Sequence, residues 1–202
     1  MAKAAALRKA AIGFRAHSGW AALVAVTGSI EAPEVAARRR IELADLKVRG
    51  SKQPYHAAEP LEFPEAKKFL EGCAAATGRM ASEALEAAIA GLRDRGCHVV
   101  GCGITLASGR TLPDLQAILK SHALIHTAEG EFYRNALIEA AKKWRLPVLG
   151  VKERDIEERA SEKIGRTKSE IERRVGKMGK GLGPPWTQDQ KFAALVAWMA
   201  LV

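Results

Sequence analysis

The chain has 202 residues, 48% of them hydrophobic, and a formal net charge of +9. That is enough apolar material to bury a core without staples, and no run of eighteen apolar residues free of charge exists to span a bilayer. The positive balance, with an isoelectric point of about 9.7, points to an anionic partner, most often nucleic acid, against the plainer reading of a basic surface that serves solubility. Three cysteines, Cys73, Cys97 and Cys102, are an odd set with irregular spacing, a poor disulfide framework. Two of them fall in an apolar strand pattern, so a reducing, cytoplasmic setting is expected. Met1 to Ala11 places Lys3, Arg8 and Lys9 among alanines, without a long apolar core or cleavage site, so a secretory signal is not expected.

In chain order, Ala11 to Val26 reads as a hairpin turning at Arg15–Gly19. Val35 to Leu43 is a third strand. Its three adjacent arginines, Arg38, Arg39 and Arg40, cannot share one face of a strand, which suits an edge position where charge blocks unwanted pairing. Leu46 to Phe63, with Gly50, Pro54 and Pro60, reads as a long polar loop. Pro64 then opens a helix that runs to about Arg95, with a break expected near Thr77–Gly78. Cys97 to Leu106 is the clearest buried strand, and a loop with Gly109 and Pro113 follows. Asp114 to Trp144 is strongly helical, with a bend expected at Gly130. Leu146 to Val151 is a short strand, and Asp155 starts a helix that ends near Gly165. Capping boxes at Thr167–Glu170 and Thr187–Gln190 mark two further helix starts, the second after the Pro184-Pro185 break.

The expected order is therefore β-β-β-α-β-α-β-α plus additional C-terminal helix, an α/β arrangement with a mixed sheet and helices on both faces. It is read as one domain over 1–202: a strand meander (1–45), a loop (46–63), a helix-strand-helix-strand unit (64–151) and C-terminal helices (152–202).

The most suggestive side chains are His122, His126 and Glu129, whose spacing puts them on one stripe of a helix. They could hold a divalent metal, zinc or manganese, or act as acid–base groups. The plain alternative is a half-exposed helix face. His17 and Arg15 lie in the first hairpin, where His17 could join that stripe or simply serve the turn. His56, in the polar loop, reads as an ordinary loop residue, and His98 as a core or edge histidine. A basic run, Lys163, Arg166, Lys168, Arg173, Arg174, Lys177 and Lys180, could track phosphates or be a solvated helix face. No G-x-G-x-x-G or Walker A pattern is present.

The segment Ile12-Gly13-Phe14-Arg15-Ala16-His17-Ser18-Gly19-Trp20 resembles the opening strand and turn, I-D-P-G-x-x-x-T-G-W, of the RuvC-like Holliday-junction resolvases of the RNase H-like superfamily. Glu129 to Val148 resembles their central helix and its exit into a strand. Lys152 to Glu172 resembles their next helical region, and Gln188 to Leu195 their last helix, D-x-x-D-A-L-A. The resemblance implies an RNase H-like fold and two divalent cations held by carboxylates from the first strand, the fourth strand and the last helix, for phosphoryl transfer. Here those positions carry Gly13, the Gly101–Gly103 stretch, Asp189 and Phe192. Only Asp189 matches, and it also suits the first turn of a helix, where negative charge meets the helix dipole.

The reading this supports is a RuvC-like protein that binds structured or double-stranded nucleic acid without the usual two-metal site. The alternatives are an enzyme rebuilt on His122, His126 and Glu129, with Asp189 or His17 assisting, and a non-catalytic protein-interaction scaffold. A homodimer is compatible with the sequence, and a membrane partner is not expected.

Overall fold

A computed structural model describes residues 7–107 and 111–202. The first two strands, β1 (Arg8–His17) and β2 (Trp20–Gly28), form an antiparallel hairpin. The turn is tighter than expected: Arg15, Ala16 and His17 stay in β1, and only Ser18 and Gly19 reverse the chain. Gly19 has φ +83°, a backbone region that glycine enters without a Cβ clash. β3 (Pro33–Glu42) pairs antiparallel with β2 and lies at the sheet edge, as its arginine run suggested. Alternation splits the run. Arg40 lies over the Trp20 ring at 3.8 Å, Arg38 donates to backbone carbonyls of Leu182, Gly183, Pro184 and Pro185, and Arg39 turns toward Gly91 on the other face.

The expected loop holds a short helix, α1 (Pro54–Ala58), started by Pro54. The next helix, α2 (Phe63–Arg93), is continuous through Thr77–Gly78. Its buried positions Cys73, Thr77, Ala81, Leu85, Ala88 and Leu92 keep an i, i+3/i+4 step across the glycine. Packing of that unbroken stripe outweighs the roughly 1 kcal/mol helical cost of Gly78. β4 (Cys97–Leu106) runs parallel to β1, and β5 (Val148–Lys152) parallel to β4, giving the order β3-β2-β1-β4-β5. Gly109, in the loop after β4, lies outside the described residues.

The helical stretch that follows divides into α3 (Leu115–Leu119) and α4 (His122–Lys143), broken at Lys120–Ser121 rather than bent at Gly130. Gly130 instead makes room for a neighbour, since the Arg134 guanidinium folds back onto the Gly130 carbonyl. After β5 come a single 3-10 turn (Glu153–Asp155), α5 (Ile156–Ile164), α6 (Lys168–Met178) and α7 (Gln188–Leu201). Gly165 ends α5 in the left-handed conformation. The capping box at Thr167 is formed: Glu170 N donates to its hydroxyl, and Glu170 accepts from Thr167 N at 3.0 Å. At Thr187, Gln190 Oε1 accepts from the backbone N–H at 2.9 Å.

Two apolar layers sandwich the sheet. On one face Ile12, Phe14, Leu23 and Ile104 pack with Leu85 and Leu92 of α2 and Tyr133 and Leu137 of α4. On the other, Val24, Val26 and Val151 pack with α5, α6 and the buried length of α7. A one-residue bulge in β4 opposite Ala10 and Ala11 resets its alternation. Cys97 and Val99 before it, and Cys102 and Ile104 after it, therefore all reach the first layer, while Gly101 and Gly103 turn toward α7. Cys73, Cys97 and Cys102 are all free and buried. Among the described residues no helix is long and apolar enough to cross a membrane.

Candidate functional site

Gly13 and Gly103 are register partners on adjacent parallel strands. A Cβ on Gly13 would overlap the Ala193 carbonyl and come within 2.8 Å of Ala197 N, and one on Gly103 would overlap Val196. The two glycines are thus a shelf on which the α7 backbone rests directly, and they leave no room there for a carboxylate or any other side chain.

Two positions beyond Gly13 on the same strand face stands Arg15. Its Nε and Nη2 donate to the two carboxylate oxygens of Glu153 at 3.1 and 3.0 Å, and its Nη1 donates to Asp189 in the first turn of α7. Phe192, one turn later, lies under the guanidinium at 5.1 Å from its ring centroid. Asp189 also bonds His17 Nε2 at 2.8 Å, and His17 stacks on Trp20 with centroids 4.4 Å apart. A continuous row therefore runs from Arg40 through Trp20, His17, Asp189 and Arg15 to Glu153. Burial works to raise both carboxyls, but Arg15 at Glu153, and His17 with Arg15 at Asp189, outweigh it and hold both below their usual range. The hydrogen bond to Glu153 leads in pushing Arg15 up, against burial. Behind this row, Arg134 of α4 is buried and donates from Nε to the Thr105 carbonyl at 3.0 Å. Burial pulls its guanidinium down, with Glu131 and Glu153 opposing.

The second cluster is on the opposite side of the sheet, where α1 meets α4. His122 and His126 come together as their spacing suggested, with Nε2 atoms 3.1 Å apart. Glu129 is not one of the converging donors. Its side chain is 5% exposed, and Oε2 accepts from Tyr55 N, His56 N and His56 Nδ1 at 3.1, 3.3 and 2.9 Å. Burial raises this carboxyl, and the His56 bonds pull it back only in part. His56, read from the sequence as an ordinary loop residue, is the third member. One ligand-capable atom from each of His56, His122 and His126 lies within 4.8 Å of the others. The helix start at Pro54 was the signal that this loop could carry a positioned side chain.

His17 does not join this stripe, because it faces α7 with Asp189. His98, read as a core or edge histidine, is exposed near the start of β4. The basic run separates as well. Arg166 and Arg174 act on exposed Glu31, and Arg174 and Lys177 line a hollow with Glu34 and Val35 of β3. Lys168 lines a different hollow with Glu157, Glu172 and Lys191. Lys163, Arg173 and Lys180 are exposed. Acidic side chains, Glu31, Glu34, Glu157 and Glu172, lie among these residues.

The strand order, the mixed pairing and helices on both faces define an RNase H-like α/β fold of the RuvC type. Among solved structures, the chain is similar to Thermus thermophilus RuvC in complex with a Holliday junction substrate. The TM-score is 0.50 and the identity 11%, over 95% of this chain and 91% of that one. Another Thermus thermophilus RuvC structure matches with a TM-score of 0.48 and 11% identity, over 94% of this chain and 92% of that one. No protein-family model matches the sequence, and no curated protein matches it.

Proposed function

We propose that this chain is a nucleic-acid-binding protein on an RNase H-like frame, in which an arginine-centred ion cluster includes Asp189, the one acidic position that matches the two-metal pattern implied by the resemblance to RuvC-like resolvases. The observation that carries the reading is Arg15 clamped between Glu153 and Asp189, beside the Gly13–Gly103 shelf. Two hard cations need several oxygen ligands. Glu153 and Asp189 are already paired with the Arg15 guanidinium, and α7 fills the space where strand carboxylates would project. The donor set does not fit the pair of cations.

Binding is supported by other features. The net charge of +9 favours a polyanion. The Arg40–Trp20–His17 row offers a cation and partly exposed rings beside the cluster. The similar Thermus thermophilus protein was solved with a Holliday junction, which makes branched DNA the first probe to use.

The test is binding of the purified chain to a labelled four-way junction, plain duplex, single strand and RNA, across a salt series with and without Mn²⁺. The expected result is salt-sensitive binding without cleavage. Absence of binding at low salt removes the reading. Mn²⁺-dependent cleavage that disappears in Asp189→Asn removes its non-cutting half.

A further inference from the structure

We infer that His56, His122 and His126 form a site for one zinc-class divalent cation, with Glu129 as the outer carboxylate that orients His56. The inference stands on the α1–α4 junction alone and does not rest on nucleic-acid binding.

Three features of the geometry point this way. First, the donor atoms converge: His122 and His126 Nε2 are 3.1 Å apart, and the three-histidine set closes within 4.8 Å. Zinc–nitrogen bonds of about 2.0–2.1 Å in a tetrahedron place ligand nitrogens about 3.3 Å apart. The helix pair is therefore already at that spacing, and small turns of the rings bring in the third. Second, His56 is prepared for the role. Its Nδ1 faces Glu129 Oε2 at 2.9 Å, and a proton donated from Nδ1 to that carboxylate leaves Nε2 free to bind a cation. Glu59 lies near His122, with Oε1 3.8 Å from Nδ1, outside hydrogen-bond distance. Third, the carboxylate behind His56 is costly to keep. Glu129 is buried, and its second oxygen has no hydrogen-bond partner among the described residues. A cation held by His56 compensates such a charge through the ring.

Zinc fits this donor set better than magnesium or calcium, because three imidazoles are borderline ligands and the converging set holds no carboxylate among the described residues. His122 and His126 are exposed, so the fourth position opens to solvent, as in sites that carry a water. Such an ion would pin α1, and with it the 46–63 segment, onto α4.

The test uses the untagged full-length chain, stripped with a chelator and titrated with zinc chloride against a chromophoric competitor. We expect one zinc per chain with a dissociation constant tighter than about 10 µM, and a rise in unfolding midpoint on loading. His126→Ala, on an exposed helix face, should keep the circular dichroism spectrum and lose at least about 100-fold in affinity, and His56→Gln should do the same. Glu129→Gln retains all three imidazoles and should lose on the order of 10–100-fold. A constant weaker than about 10 µM, or an affinity unchanged in His126→Ala, overturns the site. An affinity unchanged in Glu129→Gln overturns the orienting role of that residue.

Discussion

Arg15 and Glu153, 138 positions apart in the chain, meet in a two-point contact of 3.1 and 3.0 Å at the end of the parallel strands. Planar guanidinium against planar carboxylate is the strongest geometry available to a side-chain ion pair. Here it joins the first strand to the turn after the last strand, and through Asp189 to the start of α7.

Removing the cation should therefore cost more than an exposed pair would. In Arg15→Gln, Glu153 and Asp189 face one another across a partly buried gap. We expect a loss of about 1–3 kcal/mol in urea unfolding, between the values for exposed and fully buried pairs. A loss below about 0.5 kcal/mol would show that solvent screens the cluster.

The pH dependence follows from the same carboxyls. Both are held below their usual range in the folded chain, whereas the unfolded values lie near about 3.9 for aspartate and 4.3 for glutamate. Their contribution is in place above the unfolded values and is lost as pH falls through the folded ones. The stability gap between the wild type and Arg15→Gln should stay constant from pH 7 to about 5 and close below about 4. Unfolding curves at stepped pH measure this directly, and a gap that widens in acid contradicts the assignment.

Restoring a carboxylate on the first strand should fail. Gly13→Asp drives its Cβ into the Ala193 carbonyl, so we expect about 3 kcal/mol or more of destabilisation and no gain of Mn²⁺-dependent cleavage. A stable Gly13→Asp protein that cuts DNA would show that α7 can lift from the shelf.

The exposed basic residues of α6 can be separated from the arginines that serve the fold. Arg173→Ala with Lys177→Ala should leave the unfolding midpoint unchanged. If both contact phosphates, the pair lowers the slope of log binding constant against log salt by about 1.8 on duplex DNA. Arg38→Ala, by contrast, releases the carbonyls of the 182–185 segment. It should cost about 1 kcal/mol of stability and leave the salt slope unchanged.

Local pattern carried much of the architecture. The limits of β4 follow from its apolar run between a glycine turn and a polar loop. The edge position of β3 follows from three arginines that cannot share a face, and the start of α6 from its capping box. Each depends on residues within a few positions of one another, so the sequence by itself determined them. Where local cues competed with packing, packing prevailed. Gly78 stayed helical because the buried stripe of α2 runs through it, and Gly130 accommodates a folded-back arginine rather than a bend.

The sites depended on something else. The spacing of His122 and His126 put them on one helix face from the sequence alone. Whether Glu129 joined them or turned inward was decided by α1, whose backbone N–H groups and His56 ring claim its carboxylate from 73 and 74 residues away. The partners of Arg15 lie 138 and 174 positions off, and the closeness of α7 to Gly13 is a property of two packed elements. Periodicity reports which way a side chain faces. Only the tertiary structure decides what stands in front of it, because that contact is made by chain far away in sequence and selected by the packing of the whole sheet.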